Sequence, residues 1–563
     1  MVLALAVGGM ALGGTVPAPV PTGPYLNGAF PSEAPGTAAG FTTVNAFPNL
    51  RFIGPLWVTP YPGTDDLVVV GKSGHVWRFE NRPDVLPSEV TVMLNLSKYG
   101  DGVDLPENVL PDATHTPAVV ADPRVPSAPD MAFYQLVFHP DLGRAGQAGE
   151  HHVYASYSYL PDLPGADNDE YTYFRVSRFT VVDDPVDGPV LDPGSEQVLI
   201  DQFDRNRNHQ GGAMFFGDDG FLYISTGDGG FGSGYETAAN TPSQRLDGAL
   251  MGGILRIDVD MRGGGASHPI RRHPDDSALD PSVRPPAGWP ASFSGNYYIP
   301  SENPWVDPDP ESGVLEEFWG IGLRSPHSMQ RDAATGGIWI GDVGGSAEEI
   351  HLARAGDNFQ WRYVNGGGTP KPDPLIGIDS PAILTIPRSV GTCVIGGFVY
   401  RGDEFPGLVG KLLYGDHVRG TVSALDPAPG EAPQVEFLCD FSRIGAKAGL
   451  ANFCPGPNGE VFMPDLGGFD DATDIEDNDG TIQRLVAAAT TPEPPGLLSQ
   501  TGAFADLATL TPDPAFLPYE PLAPLWSDAA VKSRWIALPN DGRHNSPSER
   551  IVFHATGNWA FPA

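Results

Sequence analysis

The sequence predicts an all-β protein, a β-propeller followed by a smaller domain, and three observations point there. Glycine (70) and proline (59) together exceed a fifth of the 563 residues, while hydrophobic residues still reach 40% and aromatics 10%. That mixture suits short strands joined by many turns, and it supplies the large side chains that disordered chains lack. Secondly, apolar runs end repeatedly in Gly-Asp or Gly-Lys turns: LVVVGKSGHVWRF (67–79), FLYISTGDGG (221–230), GIWIGDVGG (337–345) and KLLYGDHVRGTVSAL (411–425). Strand-turn-strand units recurring at tens of residues are produced by radial β repeats, and closing them in a ring hides strand edges. Thirdly, helical periodicity is scarce, and proline-rich insertions such as 263–312 read as surface loops.

A chain of this length exceeds one compact core, so more than one domain is expected. Residues 1–40 read as a signal-like segment (MVLALAVGGMAL at 1–12) and a Pro/Gly/Ala-rich leader. The apolar part is too short to span a bilayer and no later window is apolar enough, so a secreted or periplasmic protein without a membrane span is expected. The propeller is expected over 45–487 and a linker containing TTPEPPG over 488–497. A partial C-terminal domain with Trp526, Trp535 and Trp559 would fill 498–563.

Charge and cysteines narrow the function classes. Lysine plus arginine (33) against aspartate plus glutamate (70) gives a net charge of −37. Such a charge repels nucleic acid and anionic membranes; it suits cations and neutral sugars, and equally simple solubility outside the cell. Cys393, Cys439 and Cys454 form no CxxC or CxxCH, which excludes haem attachment and a zinc ribbon within this chain. Export would allow one disulfide, for which Cys393 with Cys439 is one pairing. Gly227 to Gly232 fits GxGxxG, but no βαβ pattern surrounds it. Asp477 and Asp479 hint at a calcium loop whose first and twelfth ligand positions carry Ile475 and Val486.

The chemistry concentrates in Asn208-His209-Gln210-Gly211-Gly212, which runs on to Gly227-Asp228-Gly229-Gly230. A histidine before two glycines stands where little side chain crowds it. The following strand delivers a carboxylate after a turn, and both ends of such a hairpin can face one pore. Histidine beside a carboxylate is the minimal equipment of a general base. The same residues also suit a plainer role, with Asp228 capping a turn and His209 bonding a carbonyl.

That stretch resembles the signature of the soluble pyrroloquinoline-quinone (PQQ) glucose/sorbosone sugar dehydrogenases. Further segments follow the family's order: Leu136-Val-Phe138-His139-Pro140-Asp141, Tyr173 to Phe179, Gly253-Ile-Leu255-Arg256-Ile257-Asp258 and Gly322-Leu-Arg324-Ser325-Pro326. Next come Gly341-Asp342-Val343-Gly344 with Glu348-Glu349-Ile350, Asn358-Phe-Gln-Trp361, and Gly396 to Gly402. The resemblance covers roughly residues 45–487 and implies a six-bladed propeller that oxidises an aldose at C1. It makes His209 the base, Asp228 its orienting carboxylate and Arg324 the cation beside PQQ, with Gln210, Ser325 and Asp130 at the cofactor. Calcium (Ca2+) is implied at Glu349, the carbonyl of Phe359 and the carbonyls of Gly344 and Gly345, hard oxygen donors that suit it. A cytochrome c is the implied electron acceptor, because the segment from Leu498 to Trp535 resembles a region that often precedes such a domain.

Departures accompany the likeness. Asp130 replaces the family's glutamine, Ser325 its asparagine and Phe359 its tyrosine. Gly449-Leu-Ala-Asn-Phe453 stands where a late basic pair is expected, with Arg443 and Lys447 nearby. The second reading is a non-catalytic propeller of the Hedgehog-interacting type that binds carbohydrate or protein. The third is a hydrolase, such as a lactonase, that uses His209 and calcium on water.

Overall fold

In the computed structural model the described residues are 20–21, 40–96, 132–161, 163, 171–206, 208–230, 241–309, 311–365, 371–427, 432–441, 449–467, 480–488, 497, 499, 501–520, 533–538, 540–543, 546 and 549–551. The leader at 1–12, Asp130, Arg443, Lys447, Asp477, Asp479, Trp526 and Trp559 lie outside them. Residues 41–487 form one compact unit, and residues 1–40 with 488–563 form another. Within the second unit, two short hairpins pair Phe504–Asp506 with Thr511–Pro512 and Leu517–Pro518 with Trp535–Ile536.

Among the described residues the larger unit contains six sheets of four or more strands. Their first strands are Pro55–Pro60, Phe133–Phe138, Gly211–Phe216, Ser328–Arg331, Val394–Val399 and Cys454–Pro455. Each of these touches the next in that order, and Cys454–Pro455 touches Pro55–Pro60 again, so the first strands line a closed ring. The last sheet is completed from the other end of the unit: Phe41–Asn45 pairs antiparallel with Thr481–Ala487. Joining the first and last strands in one sheet ties the ring shut and removes a free edge. The all-β propeller expectation holds. The proposed Cys393–Cys439 pairing does not, because all three cysteines are free thiols.

Packing explains the apolar runs. Leu67, Val68, Val69 and Val70 are all fully buried within Asp66–Gly71, since sheets pack on both faces of that strand. Where sheets approach most closely the residue must be small: a Cβ on Gly341 would lie 2.6 Å from the amide nitrogen of Gly396 in the neighbouring sheet. Among the described residues no helix is long and apolar enough to cross a membrane.

One buried acid makes the propeller sensitive to pH. Glu317 is fully buried and accepts a hydrogen bond of 2.7 Å from the Tyr297 hydroxyl. Burial pushes its carboxyl up to about 7 from an ordinary 4.5. The folded state therefore holds this proton more tightly than the unfolded chain. The stability is complete below the ordinary value and is lost as pH rises through about 7. Urea unfolding should show a loss from this group on the order of 3 kcal/mol over that window, and Glu317→Gln should reduce the slope by that share.

Candidate functional site

The hairpin Gly211–Phe216/Leu222–Thr226 brings His209 and Asp228 to the same end, because one residue precedes its first strand and the other follows its second. His209 adopts φ 62°, the left-handed region that costs a side-chain-bearing residue about 1–2 kcal/mol. This conformation carries its ring to Asp228, with Nδ1 at 2.7 Å from Oδ1. An ionised carboxylate only accepts, so Nδ1 carries the proton and Nε2 keeps a free lone pair. The Asp228 side chain is 4% exposed and that of His209 21%, so the histidine reaches solvent while its partner does not.

Gly-Asp turns recur in this fold, and their partners tell them apart. Asp342 accepts from the backbone N–H groups of Arg324 (3.0 Å) and Ser325 (2.6 Å). Asp416 likewise accepts from Thr392 (2.6 Å) and Cys393 (2.9 Å). Both pin the chain entering their own sheet. Asp228 accepts one backbone N–H, from Gly230 at 2.9 Å, and gives its remaining capacity to side chains: His209 and the indole Nε1–H of Trp361 at 2.8 Å. A buried carboxylate held by an imidazole and an indole orients side chains rather than a turn.

Arg324 belongs to the same cluster. Its carbonyl accepts from the Asp228 N–H at 2.8 Å, and its guanidinium lies 5.4 Å from the centre of the Trp361 ring. Its Nη1 donates to the Val343 carbonyl at 2.7 Å. The close approach requires glycine at 227, where a Cβ would stand 1.6 Å from the His209 carbonyl oxygen and 3.0 Å from that of Arg324. Gly227→Ala should cost about 1–3 kcal/mol in urea unfolding and displace His209 from Asp228.

Other expected residues are placed differently. Gln210 is buried, its Nε2 donating to the Asp204 carboxylate and to the Asn206 carbonyl at 3.0 Å. Burial holds the Asp204 carboxyl well above the ordinary carboxylate range, and the nearby Asp228 charge adds to this. Ser325 contributes its backbone N–H to Asp342. The carbonyls of Gly344 and Gly345 both face the Arg388 guanidinium, with Nη2 at 2.5 Å and 3.4 Å. A positive group already sits where those carbonyls would have met calcium, so these two donors do not fit that ion. Glu349 is gathered instead with Asp342 and His351. Burial pushes Asp342 up to about 6 and Glu349 up to about 7, and it holds the His351 imidazole down to about 3. The Phe359 ring meets that of His351 edge-on, with centroids 4.9 Å apart.

Sequence reasoning missed Trp361 as a partner of Asp228, although its motif was read. It also missed Lys72, His327 and His417, which come from three sheets and lie within electrostatic reach of one another. His327 Nε2 bonds the Ala451 carbonyl at 3.2 Å and His417 Nδ1 that of Leu450 at 2.8 Å. Both therefore brace the segment 449–453, which lacks the expected basic pair. Burial lowers the pKa of both histidines.

Residues 293–444 match the family model for glucose/sorbosone dehydrogenase. HIPL1 protein of Arabidopsis thaliana is 28% identical over 272 residues, which cover 45% of this chain and 35% of that protein. The chain thus spans about a third of the length of the HIPL relatives it matches. Aldose sugar dehydrogenase YliI of Escherichia coli is 23% identical over 375 residues, covering 64% of this chain and 79% of the relative. Among solved structures, a glucose dehydrogenase shares the fold at a TM-score of 0.51 and 16% identity, over 80% of this chain and 100% of the other.

Proposed function

From the match of residues 293–444 to the glucose/sorbosone dehydrogenase family model, we propose that the chain oxidises an aldose sugar at C1 with PQQ as the cofactor. The observation that carries the reading is the His209–Asp228–Trp361–Arg324 cluster at one end of the ring. The residues suit the cofactor: Arg324 is a planar cation 5.4 Å from the centre of an indole, a group suited to a carboxylate or quinone oxygen, and Lys72 adds a second positive charge within electrostatic reach of His327. When bound, PQQ would supply the two-electron acceptor for the C1 hydrogen.

The chain's own residues do the acid–base work. His209 Nε2 takes the proton of the anomeric hydroxyl, and Asp228 holds the imidazole in the tautomer that leaves Nε2 free. The same carboxylate stabilises the imidazolium once it forms. Trp361 fixes Asp228 from the far side, so the pair cannot swing apart without breaking a buried hydrogen bond. No step is assigned to calcium, whose expected carbonyls face Arg388. Secretion and a cytochrome-type electron acceptor complete the reading as proposals.

The test is reconstitution: the full chain, PQQ and an artificial electron acceptor are offered a panel of aldoses. Dye reduction that saturates with sugar supports the reading. A chain that binds no PQQ by fluorescence or calorimetry overturns it and leaves a carbohydrate- or protein-binding propeller.

A further inference from the structure

We propose that a cavity between the third and fourth sheets, at the end of the ring away from His209, binds a small aromatic carboxylate. Residues 217–220 turn the chain between Gly211–Phe216 and Leu222–Thr226, opposite the end where His209 and Asp228 meet. In the next sheet residues 332–337 turn it between Ser328–Arg331 and Ile338–Asp342. The Arg331 guanidinium meets the Asp218 carboxylate, which brings the two turns together. Beside them lies a cavity of about 290 Å³. Phe215, Tyr223 and Trp319 line it from the third sheet, Ile338 and Ala353 from the fourth.

The charges around the cavity point to an anion. Asp219 is already neutralised: it accepts from the Tyr223 hydroxyl at 2.9 Å and from Arg256 at 2.7 Å and 3.1 Å. Arg331 is not so committed. Its side chain is 15% exposed, and among the described residues its guanidinium has one partner, an Asp218 side chain that is 81% exposed. A guanidinium carries five N–H donors in a planar fork that matches the two oxygens of a carboxylate. An exposed ion pair contributes little, so Asp218 yields readily to a better-held carboxylate. Arg354 lines the same cavity, and its guanidinium has no partner among the described residues. Asp357, within electrostatic reach of it, accepts the Arg354 backbone N–H instead, at 2.8 Å.

The apolar lining selects the rest of the ligand. Phe215 and Tyr223 stack with ring centroids 4.9 Å apart and planes 10° from parallel, and Tyr223 meets Trp319 edge-on at 5.3 Å. Rings prefer to pack on rings in these same two ways, so a flat aromatic body gains more here than an aliphatic acid of equal size. A dry cavity of about 150 Å³ holds benzene. One ring with its carboxylate and a little water therefore fills this volume, and a polymer does not. Neither PQQ nor sugar oxidation is a premise of the site, so its test does not run through activity.

The probe is benzoate, added to the full chain and followed by calorimetry and ligand-observed NMR, with benzyl alcohol and glucuronate as controls. Benzoate is expected to bind at least about tenfold more tightly than benzyl alcohol, which lacks the charge, or glucuronate, which lacks the ring. Arg331→Gln should weaken benzoate at least about tenfold and Arg354→Gln about threefold. Asp218→Asn should tighten it about two- to fivefold by releasing Arg331 from its competitor. That side chain is 81% exposed, so the fold is not at stake. Melting curves separate a lost site from a lost fold in Arg331→Gln, and Asp218→Asn decides even if that variant misfolds. No benzoate binding at about 10 mM, equal binding of either control, unchanged affinity in a folded Arg331→Gln, or no gain in Asp218→Asn overturns the proposal.

Discussion

Replacing His209 by alanine is expected to lower the turnover of dye-linked aldose oxidation by about 10²–10⁴-fold while leaving PQQ binding intact. The lone pair of Nε2 is the basic atom the cluster presents to substrate, and its position depends on the 2.7 Å bond to Asp228. Binding should survive, because the cations assigned to the cofactor are Arg324 and Lys72. Added imidazole should restore part of the rate to the alanine variant, which a merely misfolded protein would not allow. Stability supplies a second readout. His209 is held at φ 62°, so His209→Gly relieves backbone strain of about 1–2 kcal/mol even as it removes the base. The glycine variant should therefore be inactive yet melt at or above the wild-type temperature. Substantial activity in both variants would remove His209 from the chemistry.

The sequence and the structure agree where information is local. The apolar run 67–70, the Gly-Asp turns and the pairing of His209 with Asp228 through one hairpin are all set within about twenty residues. Glycine positions and strand alternation were enough to place them. What was not legible depends on contacts between distant segments. Trp361 reaches Asp228 across 133 positions, and Arg388 reaches Gly344 across 44. Spacing also cannot say which way a side chain turns, so Gln210, adjacent to the base, was read as facing the cofactor when its amide serves Asp204. Likewise the turns ending in Asp228, Asp342 and Asp416 read alike until their partners are known. His351 carried no signal in sequence, because a histidine within an apolar strand gives no hint that both its nitrogens lack partners.

Asp228→Asn is the sharper test of the cluster, because it changes one atom's chemistry and almost no volume. The carboxylate meets three donors: His209 Nδ1–H and the Gly230 N–H at Oδ1, and the Trp361 Nε1–H at Oδ2. An amide has one acceptor oxygen. If that oxygen keeps His209 and Gly230, its NH2 faces the indole N–H, and two buried donors oppose each other at a cost of about 1–3 kcal/mol. If the amide flips, its NH2 donates to Nδ1, the proton moves to Nε2, and the lone pair needed for proton abstraction is lost. Either arrangement should reduce turnover by about 10²–10⁴-fold, and the second also costs stability, because the flipped NH2 then opposes the Gly230 N–H. Trp361→Phe separates the two. It removes the indole donor, leaves Asp228 free to hold His209, and should cost more in urea unfolding than in turnover. Equal losses of turnover in Asp228→Asn and Trp361→Phe would mean that the carboxylate acts by holding the ring's packing together, and the general-base assignment would fall with it.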